Sequence, residues 1–169
     1  ANASNRQKLW EWFQRHDDRS LIANGVIRDQ TTTMGQIAIQ GPKSKDVLQQ
    51  CAGNSFPALP PRGCVESEIL GSHGIIARTG YTGEHGYELY LPASDLPQVW
   101  TALLEAGKAA GIKPCGLSAR DLLRLEAGFL LYGNDISEDT TPIEAGVEWV
   151  VEYSKPDFIG KDALLKQKG

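Results

Sequence analysis

The sequence predicts an α+β fold in which mostly antiparallel strands pack with helices, and three stretches carry this prediction. Residues 64–92 contain three strand-like runs with links of hairpin length between them. Residues 94–111 repeat apolar side chains at helical spacing and end at a glycine. Residues 116–128 begin with a Ser-x-x-Asp capping pattern and also end at a glycine. Because the strands occur in runs with helices between the runs, an antiparallel sheet is favoured.

The first part of the chain is predicted to hold a helix, short strands and a second helix. Residues 5–16 place apolar side chains on one helical face. Residues 21–40 favour short strands interrupted by Asn-Gly and Gly turn signals. Residues 42–51 start with a proline, which is compatible with the first turn of a helix, and continue as a helical pattern.

Residues 54–63 contain three prolines and no periodicity, so they are predicted to be a connector. The whole chain, residues 1–169, is expected to be one functional part, with two possible subdomains at 1–53 and 64–169. Near the C-terminus, residues 147–153 favour a strand, and a short helix is expected after it.

Composition narrows the function classes. The chain has 17 basic and 21 acidic residues, a net charge of −4, which argues against a sequence-independent nucleic-acid binder. Its three cysteines lie far apart and form no CxxC pair, so reduced thiols in a cytosol-like compartment are expected. No set of side chains has the spacing of a metal site, and no apolar run is long enough for a membrane span.

The stretch "RTGYTGEHGYELYL", residues 78–91, repeats glycine at every third position and places Glu84 in its centre. It does not fit a P-loop, because no lysine follows the glycines, nor a dinucleotide fingerprint, because the spacing differs and strands flank it on both sides. A carboxylate at this position would also repel phosphate. It would suit a flat ligand with two adjacent N–H donors, as in arginine, guanine or a pterin.

Three tyrosines of this stretch are available to stack on such a ring, namely Tyr81, Tyr87 and Tyr90. The alternative is an irregular hairpin loop in which Glu84 is solvated and the tyrosines belong to a β core. Spacing alone leaves both interpretations open.

Two arginines, Arg120 and Arg124, lie four residues apart and therefore on one face of the predicted helix. Arg120 falls in the first turn, where the helix dipole disfavours a cation, so a carboxylate partner in the protein or on a ligand is expected. The alternative is a solvated face with Arg124 paired to Asp121. The later segment "YGNDI" is typical of a turn.

Several motifs in this order and spacing resemble a known family. They are "RTGYTGEHGYEL", "GLSARDLLRLEAGFLLYGND" and "TTPIEAGVEWVV", supported by "NASN" at the N-terminus and "DFIGKDAL" near the C-terminus. Together they resemble the glycine cleavage system T proteins, the aminomethyltransferases, over nearly the whole chain.

The resemblance implies a reaction and its partners. A lipoyl-bearing H protein would carry an aminomethyl group on sulfur, and the one-carbon unit would pass to tetrahydrofolate, giving 5,10-methylenetetrahydrofolate, ammonia and dihydrolipoyl H protein. Folate would be a co-substrate, with no metal, nucleic acid or membrane involved. The resemblance assigns folate or substrate contacts to Glu84 and Arg120, and also to Asn2 and Tyr132.

The resemblance also implies what this chain does not contain. Family members are longer, with a catalytic aspartate upstream of the segment matched here and a C-terminal β domain beyond it. We therefore expect a central fragment without a catalytic residue of its own and with little activity alone. A cytoplasmic location is expected, or the mitochondrial matrix in a eukaryote. Two alternatives remain open, namely the folate domain of a dimethylglycine or sarcosine dehydrogenase-like enzyme, and a folate-binding module without turnover.

Overall fold

A computed structural model describes residues 3–52, 56 and 58–169. The chain forms two compact units, Ala1–Gly128 and Phe129–Gly169. Asn2, one of the predicted site residues, lies outside the described residues.

A four-stranded antiparallel sheet forms the centre of the first unit. Its strands are β1 (Met34–Gln40), β2 (Cys64–Ile69), β3 (Ser72–Ala77) and β4 (Gly86–Pro92), in the spatial order β1-β4-β3-β2. The meander predicted for residues 64–92 is present, and the predicted α+β class is confirmed.

The alternation of side chains along β4 gives the sheet two different faces. Tyr87, Leu89 and Leu91 point to one face and are almost fully buried, whereas Glu88 and Tyr90 point to the other and are half-buried. The first face forms the core with helices α2 (Ser44–Ala52) and α3 (Leu96–Ala106). The buried side chains that form this core are Ile37, Ile39, Val47, Leu48, Ile69, Ile76, Tyr87, Leu89, Leu91, Val99 and Leu103.

The compact units do not follow the predicted boundary at residues 54–63. Strand β1 precedes that segment and β4 follows it, yet the two pair along their whole length, from Met34 opposite Pro92 to Gln40 opposite Gly86. Residues on both sides of the proline-rich segment therefore share one sheet, and the units instead divide between residues 128 and 129.

The stretch from residue 21 to 40 contains less strand than predicted. Only Met34–Gln40 is a strand, and residues 21–33 form turns. The Asp17 carboxylate accepts hydrogen bonds from the backbone N–H groups of Leu21 and Ile22, at 2.6 and 2.9 Å. Local side-chain bonds of this kind compete with strand pairing, which explains the difference.

Helix α4 (Leu117–Glu126) buries an arginine and exposes several leucines. Arg124 is buried at 3% exposure, whereas Leu117, Leu122 and Leu125 are exposed. The predicted capping pattern is not used as a cap, because Gly116 is the N-cap residue and makes no side-chain capping bond. Instead the Asp121 carboxylate accepts a hydrogen bond from Nε of Arg124 at 2.8 Å.

The remaining helix of the first unit, α1 (Arg6–Arg15), follows a short 3₁₀ turn, Ala3–Asn5. It is tied to the following turns by an ion pair between Arg6 and Asp29 at 2.8 Å.

The second unit has little regular structure. It contains a 3₁₀ turn, Glu148–Val150, and the short helix α5 (Lys161–Lys168). The predicted strand over residues 147–153 is wrong. The backbone N–H groups of Val150 and Val151 donate to carbonyls three residues earlier, which closes the backbone into a turn. In the described part of the chain, no helix is long and apolar enough to cross a membrane.

Candidate functional site

The glycine-rich loop between β3 and β4 is built around the side chain of Gln40. The amide nitrogen of Gln40 donates to the backbone carbonyls of Thr79 and Tyr87, at 3.2 and 3.1 Å. A Cβ atom at Gly80 or Gly86 would collide with the amide of Gln40. These two glycines therefore make room for a side chain of the protein itself.

The third glycine of the repeat has a different role. Gly83 has a φ of +76°, a left-handed conformation that favours glycine. Its Cα also lies against helix α4, since an added Cβ would come within 2.8 Å of the Ala127 side chain. The glycine at every third position therefore reflects two separate requirements. Gly80 and Gly86 leave space for Gln40, and Gly83 allows the left-handed turn.

Glu84 lies at the exposed tip of this loop. Its backbone N–H donates to the hydroxyl of Thr82 at 3.4 Å. Within the described residues, the structure shows no bond to the carboxylate of Glu84. Its role as a folate contact stays a prediction.

Four residues further along, Glu88 lies on the second face of the sheet in a hydrogen-bonded cluster. Its Oε1 accepts from the amide of Gln36 at 2.6 Å, and its Oε2 accepts from the hydroxyls of Thr79 at 2.5 Å and Tyr90 at 3.2 Å. These donors come from β1, from the loop and from β4 itself. The carboxylate is therefore held in one orientation by three surrounding groups.

The protonation of this cluster follows from its surroundings. Burial, followed by the neighbouring Glu88 carboxylate, raises the pKa of Tyr90 above its usual value of 10.0. The phenol therefore stays protonated and remains a donor at neutral pH. The sequence reasoning missed Glu88, although its alternation with Tyr87 and Leu89 would have placed it on the sheet face opposite the core.

The three tyrosines offered for stacking have three different environments. Tyr87 is 4% exposed and packs edge-on against Phe56, with ring centroids 5.2 Å apart, so it belongs to the core. Tyr90 belongs to the Glu88 cluster. Tyr81 lies beneath the guanidinium of Arg120, whose Cζ is 5.1 Å from the ring centroid.

Arg120 and the loop are therefore brought together within the first unit. The contacts are Arg120 on Tyr81 and the close approach of Gly83 to Ala127. Arg124, one turn further along, points inward and pairs with Asp121. The predicted pairing of Arg124 with Asp121 is present, but the predicted solvated face is not, since Arg124 is buried.

Tyr132 lies in the second unit. Its hydroxyl donates to Glu138 at 3.4 Å, and it forms an isolated backbone bridge with Ile136. The Asp135 carboxylate accepts the backbone N–H of Leu131 at 2.8 Å, which stabilises the predicted turn. The role of Tyr132 as a pocket residue stays a prediction.

A cavity of about 480 Å³ lies beside the loop in the first unit. Thr82 and Arg120 line it together with apolar side chains of β1, α2 and α3. Among the residues that the structure describes, no group of three or more His, Cys, Asp or Glu side chains is placed to hold a metal ion.

Comparison with known proteins identifies the family. The model of the GCVT N-terminal domain matches residues 1–155. The chain is 45% identical over 168 residues to an aminomethyltransferase of Halothermothrix orenii, which covers 99% of this chain and 46% of that protein. It is 42% identical over 170 residues to an aminomethyltransferase of Thermoanaerobacter sp. strain X514, covering 99% of this chain and 45% of that protein.

A solved structure agrees with this assignment. The crystal structure of glycine cleavage system aminomethyltransferase T from Bartonella henselae superposes with a TM-score of 0.70 at 39% sequence identity, over 80% of this chain and 37% of that one. The chain spans slightly less than half the length of the curated relatives it matches. The chain belongs to the GCVT N-terminal domain family.

Proposed function

We propose that this chain is the folate-binding part of an aminomethyltransferase of the glycine cleavage system. The complete enzyme would pass the one-carbon unit from the S-aminomethyldihydrolipoyl group of the H protein to tetrahydrofolate, releasing ammonia. The family match and the names of the relatives support this proposal. The bacterial origin of these relatives supports a cytoplasmic location.

The observation that carries the folate proposal is the fixed carboxylate of Glu88. A pterin presents its 2-amino group and the adjacent N3–H as two parallel donors, which match the two oxygens of a carboxylate. Among the described residues, Oε1 accepts one hydrogen bond, from Gln36, and retains capacity for a further donor, whereas Oε2 already accepts two, from Thr79 and Tyr90. A pterin that uses both oxygens would therefore replace one of these two hydroxyl donors at Oε2. A carboxylate already held in place loses little freedom when the ligand binds.

Glu84 and Glu88 are thus two candidates for the same role. Glu84 is favoured by the resemblance, and Glu88 by its geometry. Glu84 is exposed at the loop tip, and the described residues show no bond to its carboxylate, so its use would require ordering of its side chain on binding. We propose Glu88 as the primary pterin contact and Glu84 as a secondary one.

Arg120 is proposed to form part of the polar wall of the folate pocket. Its guanidinium already stacks on Tyr81, which restricts its position, and it faces the cavity. In this reaction the nucleophile is N5 of the folate, so the protein contributes position and electrostatics. Asn2 and Tyr132 remain proposed contacts from the matched motifs alone.

Isothermal titration of tetrahydrofolate into the 169-residue chain tests the proposal. We expect binding by the wild type and a loss of roughly 10- to 100-fold for Glu88→Gln, because hydrogen bonds to a charged group contribute about 1.5–3 kcal/mol. Glu84→Gln is the matched control, with an expected loss of roughly threefold or less. A wild-type chain that does not bind tetrahydrofolate would contradict the folate proposal, and equal affinities of all three proteins would exclude both glutamates.

A further inference from the structure

The two oxygens of the Glu88 carboxylate differ in how much room they leave for a further donor. Each carboxylate oxygen has about two lone-pair sites. Among the described residues, Gln36 donates to Oε1, whereas the hydroxyls of Thr79 and Tyr90 both donate to Oε2. Oε2 is therefore already saturated. A flat ligand that donates to both oxygens at once must remove one of the two hydroxyls from Oε2.

The lengths of the two hydroxyl bonds indicate which of them is the easier to replace. The Thr79 hydroxyl lies 2.5 Å from Oε2, the short distance typical of a hydroxyl that donates to an ionised carboxylate. The Tyr90 hydroxyl lies 3.2 Å from the same oxygen, beyond the usual range of an O–H···O bond. The tyrosine bond is therefore the weaker one, and less interaction is lost when a ligand replaces it.

The two hydroxyls also differ in how firmly they are held. The Thr79 hydroxyl is attached to a short β-branched side chain, which has little rotational freedom. The backbone carbonyl of Thr79 accepts a hydrogen bond from the Gln40 amide at 3.2 Å, which fixes this end of the loop. The Tyr90 hydroxyl is at the end of a long, half-buried side chain, and its other contact is a long one, 3.4 Å from the Gln36 amide. The Tyr90 hydroxyl can therefore turn towards solvent more readily than the Thr79 hydroxyl.

The Glu88 carboxylate is accessible from the sheet face that does not form the core. Gln36 on β1 and Ile75 on β3 are the cross-strand neighbours of Tyr90, and both are exposed. Glu88 lies two residues before Tyr90 on β4 and therefore on the same face. A flat ligand can reach the carboxylate from this face without disturbing the buried side chains.

We propose that Tyr90 is a displaceable donor to Glu88 and Thr79 a fixed positioning residue, so that one N–H group of a pterin takes the place of the Tyr90 hydroxyl at Oε2. This exchange rests on the proposed folate function and adds the step that makes the occupied carboxylate available. The bond from Tyr90 stabilises the free chain, so it competes with the ligand and lowers the apparent affinity. A ligand with a single donor uses the second lone pair of Oε1 and leaves Tyr90 in place.

Two hydroxyl deletions with opposite expected effects test the exchange, by titration calorimetry with 6-methyltetrahydropterin. Tyr90→Phe keeps the ring but removes the competing donor, so the affinity should rise roughly two- to fivefold. Thr79→Val removes the positioning donor, so the carboxylate is less preorganised and the affinity should fall roughly three- to tenfold. Thr79→Ser restores the hydroxyl and should return the affinity to within about twofold of the wild type.

The 2-desamino analogue of the same pterin is the control on the side of the ligand. It keeps one N–H donor of the pair, which Oε1 accommodates, so the gain in Tyr90→Phe should disappear. Tyr87→Phe is the matched control in the protein, because Tyr87 lies on the same strand but belongs to the core. Its affinities for both ligands should equal those of the wild type. A single cooperative thermal transition of each variant would show that it folds.

The outcomes separate the exchange from the folate proposal. Unchanged or weaker binding by Tyr90→Phe, an equal gain with both ligands, or a loss in Thr79→Val that Thr79→Ser does not restore would overturn the exchange. Equal or tighter binding by Thr79→Val would do the same. If the wild type still binds the pterin in a manner that depends on Glu88, the folate proposal stands. A wild type that does not bind the pterin at all would contradict both.

Discussion

Two carboxylates four residues apart lie in contrasting parts of the first unit. Glu84 lies at the exposed tip of a glycine-rich loop. Two of the loop's glycines leave room for the Gln40 side chain, and the third, Gly83, adopts a left-handed conformation. Glu88 lies on the neighbouring strand, where Gln36, Thr79 and Tyr90 hold both its oxygens. The conspicuous sequence pattern marks the loop, but the more ordered carboxylate is on the strand.

This comparison shows that a glycine pattern can arise from the packing needs of the protein. At positions 80 and 86, the space that a larger side chain would occupy is filled by a glutamine from another strand. A preorganised polar group is a stronger candidate for recognition than an exposed one, because less freedom is lost when a ligand binds.

The largest expected effect is the loss of stability when a buried side chain is removed from the core face of β4. Leu89→Ala removes a fully buried side chain from the core face, and we expect the free energy of unfolding to fall by about 2–5 kcal/mol. Leu122→Ala is the control, because this leucine of α4 is exposed, and its cost should stay within about 0.5 kcal/mol. Urea unfolding measures both values, and similar losses would contradict the assigned core.

The next effect concerns the packing of the loop. Gly86→Ala should destabilise the fold by about 1–3 kcal/mol, because the new methyl group overlaps the Gln40 amide. If that overlap is the cause, the double variant Gly86→Ala/Gln40→Ala should be more stable than the sum of the two single changes predicts. Strict additivity in urea unfolding would show that Gln40 is not the reason for the glycine.

A smaller effect compares the two glutamates directly. Glu88→Ala removes the acceptor of three donors and should cost about 1 kcal/mol in unfolding free energy. Glu84→Ala removes an exposed carboxylate and should change stability by less than about 0.5 kcal/mol. A reversed order of the two losses in urea unfolding would contradict the proposed difference between the two sites.

The smallest expected effect is a shift in the pKa of Tyr90. The pKa of Tyr90 is raised in the folded chain, so its protonated phenol stabilises the fold below pH 10.0, and this contribution is lost as the pH rises through the raised value. Glu88→Gln should move the pKa of Tyr90 toward its usual value, without reaching it, because burial is the larger cause. Ultraviolet titration against a Tyr90→Phe reference measures the shift. A shift in Glu84→Gln instead would contradict the assigned contact.

Local sequence patterns predicted much of the sheet unit. The hairpin-length links over residues 64–92 and the helical spacing after residue 94 are local signals, and the corresponding elements are present. The pairing of β1 with β4 joins segments about fifty residues apart, so the proline-rich stretch between them was interpreted as a boundary. Sequence periodicity contains no direct information on such long-range pairing.

The candidate site was predicted less completely, because it also depends on contacts between residues that are distant in sequence. Arg120 and the loop do lie together, but the packing of Gln40 against Gly80 and Gly86 joins residues that are distant in sequence. Glu88 was missed because a glutamate within a strand is an ordinary surface pattern until its three donors are known. The turn at residues 148–150 shows the opposite error, since apolar β-branched residues there favoured a strand that does not form.

The central claim is that Glu88 recognises the paired N–H donors of the pterin. Its most direct test is a double-mutant cycle that combines a substitution in the protein with the removal of one donor group from the ligand. The affinities of 6-methyltetrahydropterin and of its 2-desamino analogue are compared for wild type, Glu88→Gln and Glu84→Gln. If Glu88 recognises the paired N–H donors, loss of the 2-amino group should weaken binding roughly tenfold or more in the wild type and in Glu84→Gln, but little in Glu88→Gln. The same penalty in Glu88→Gln as in the wild type would contradict the claim.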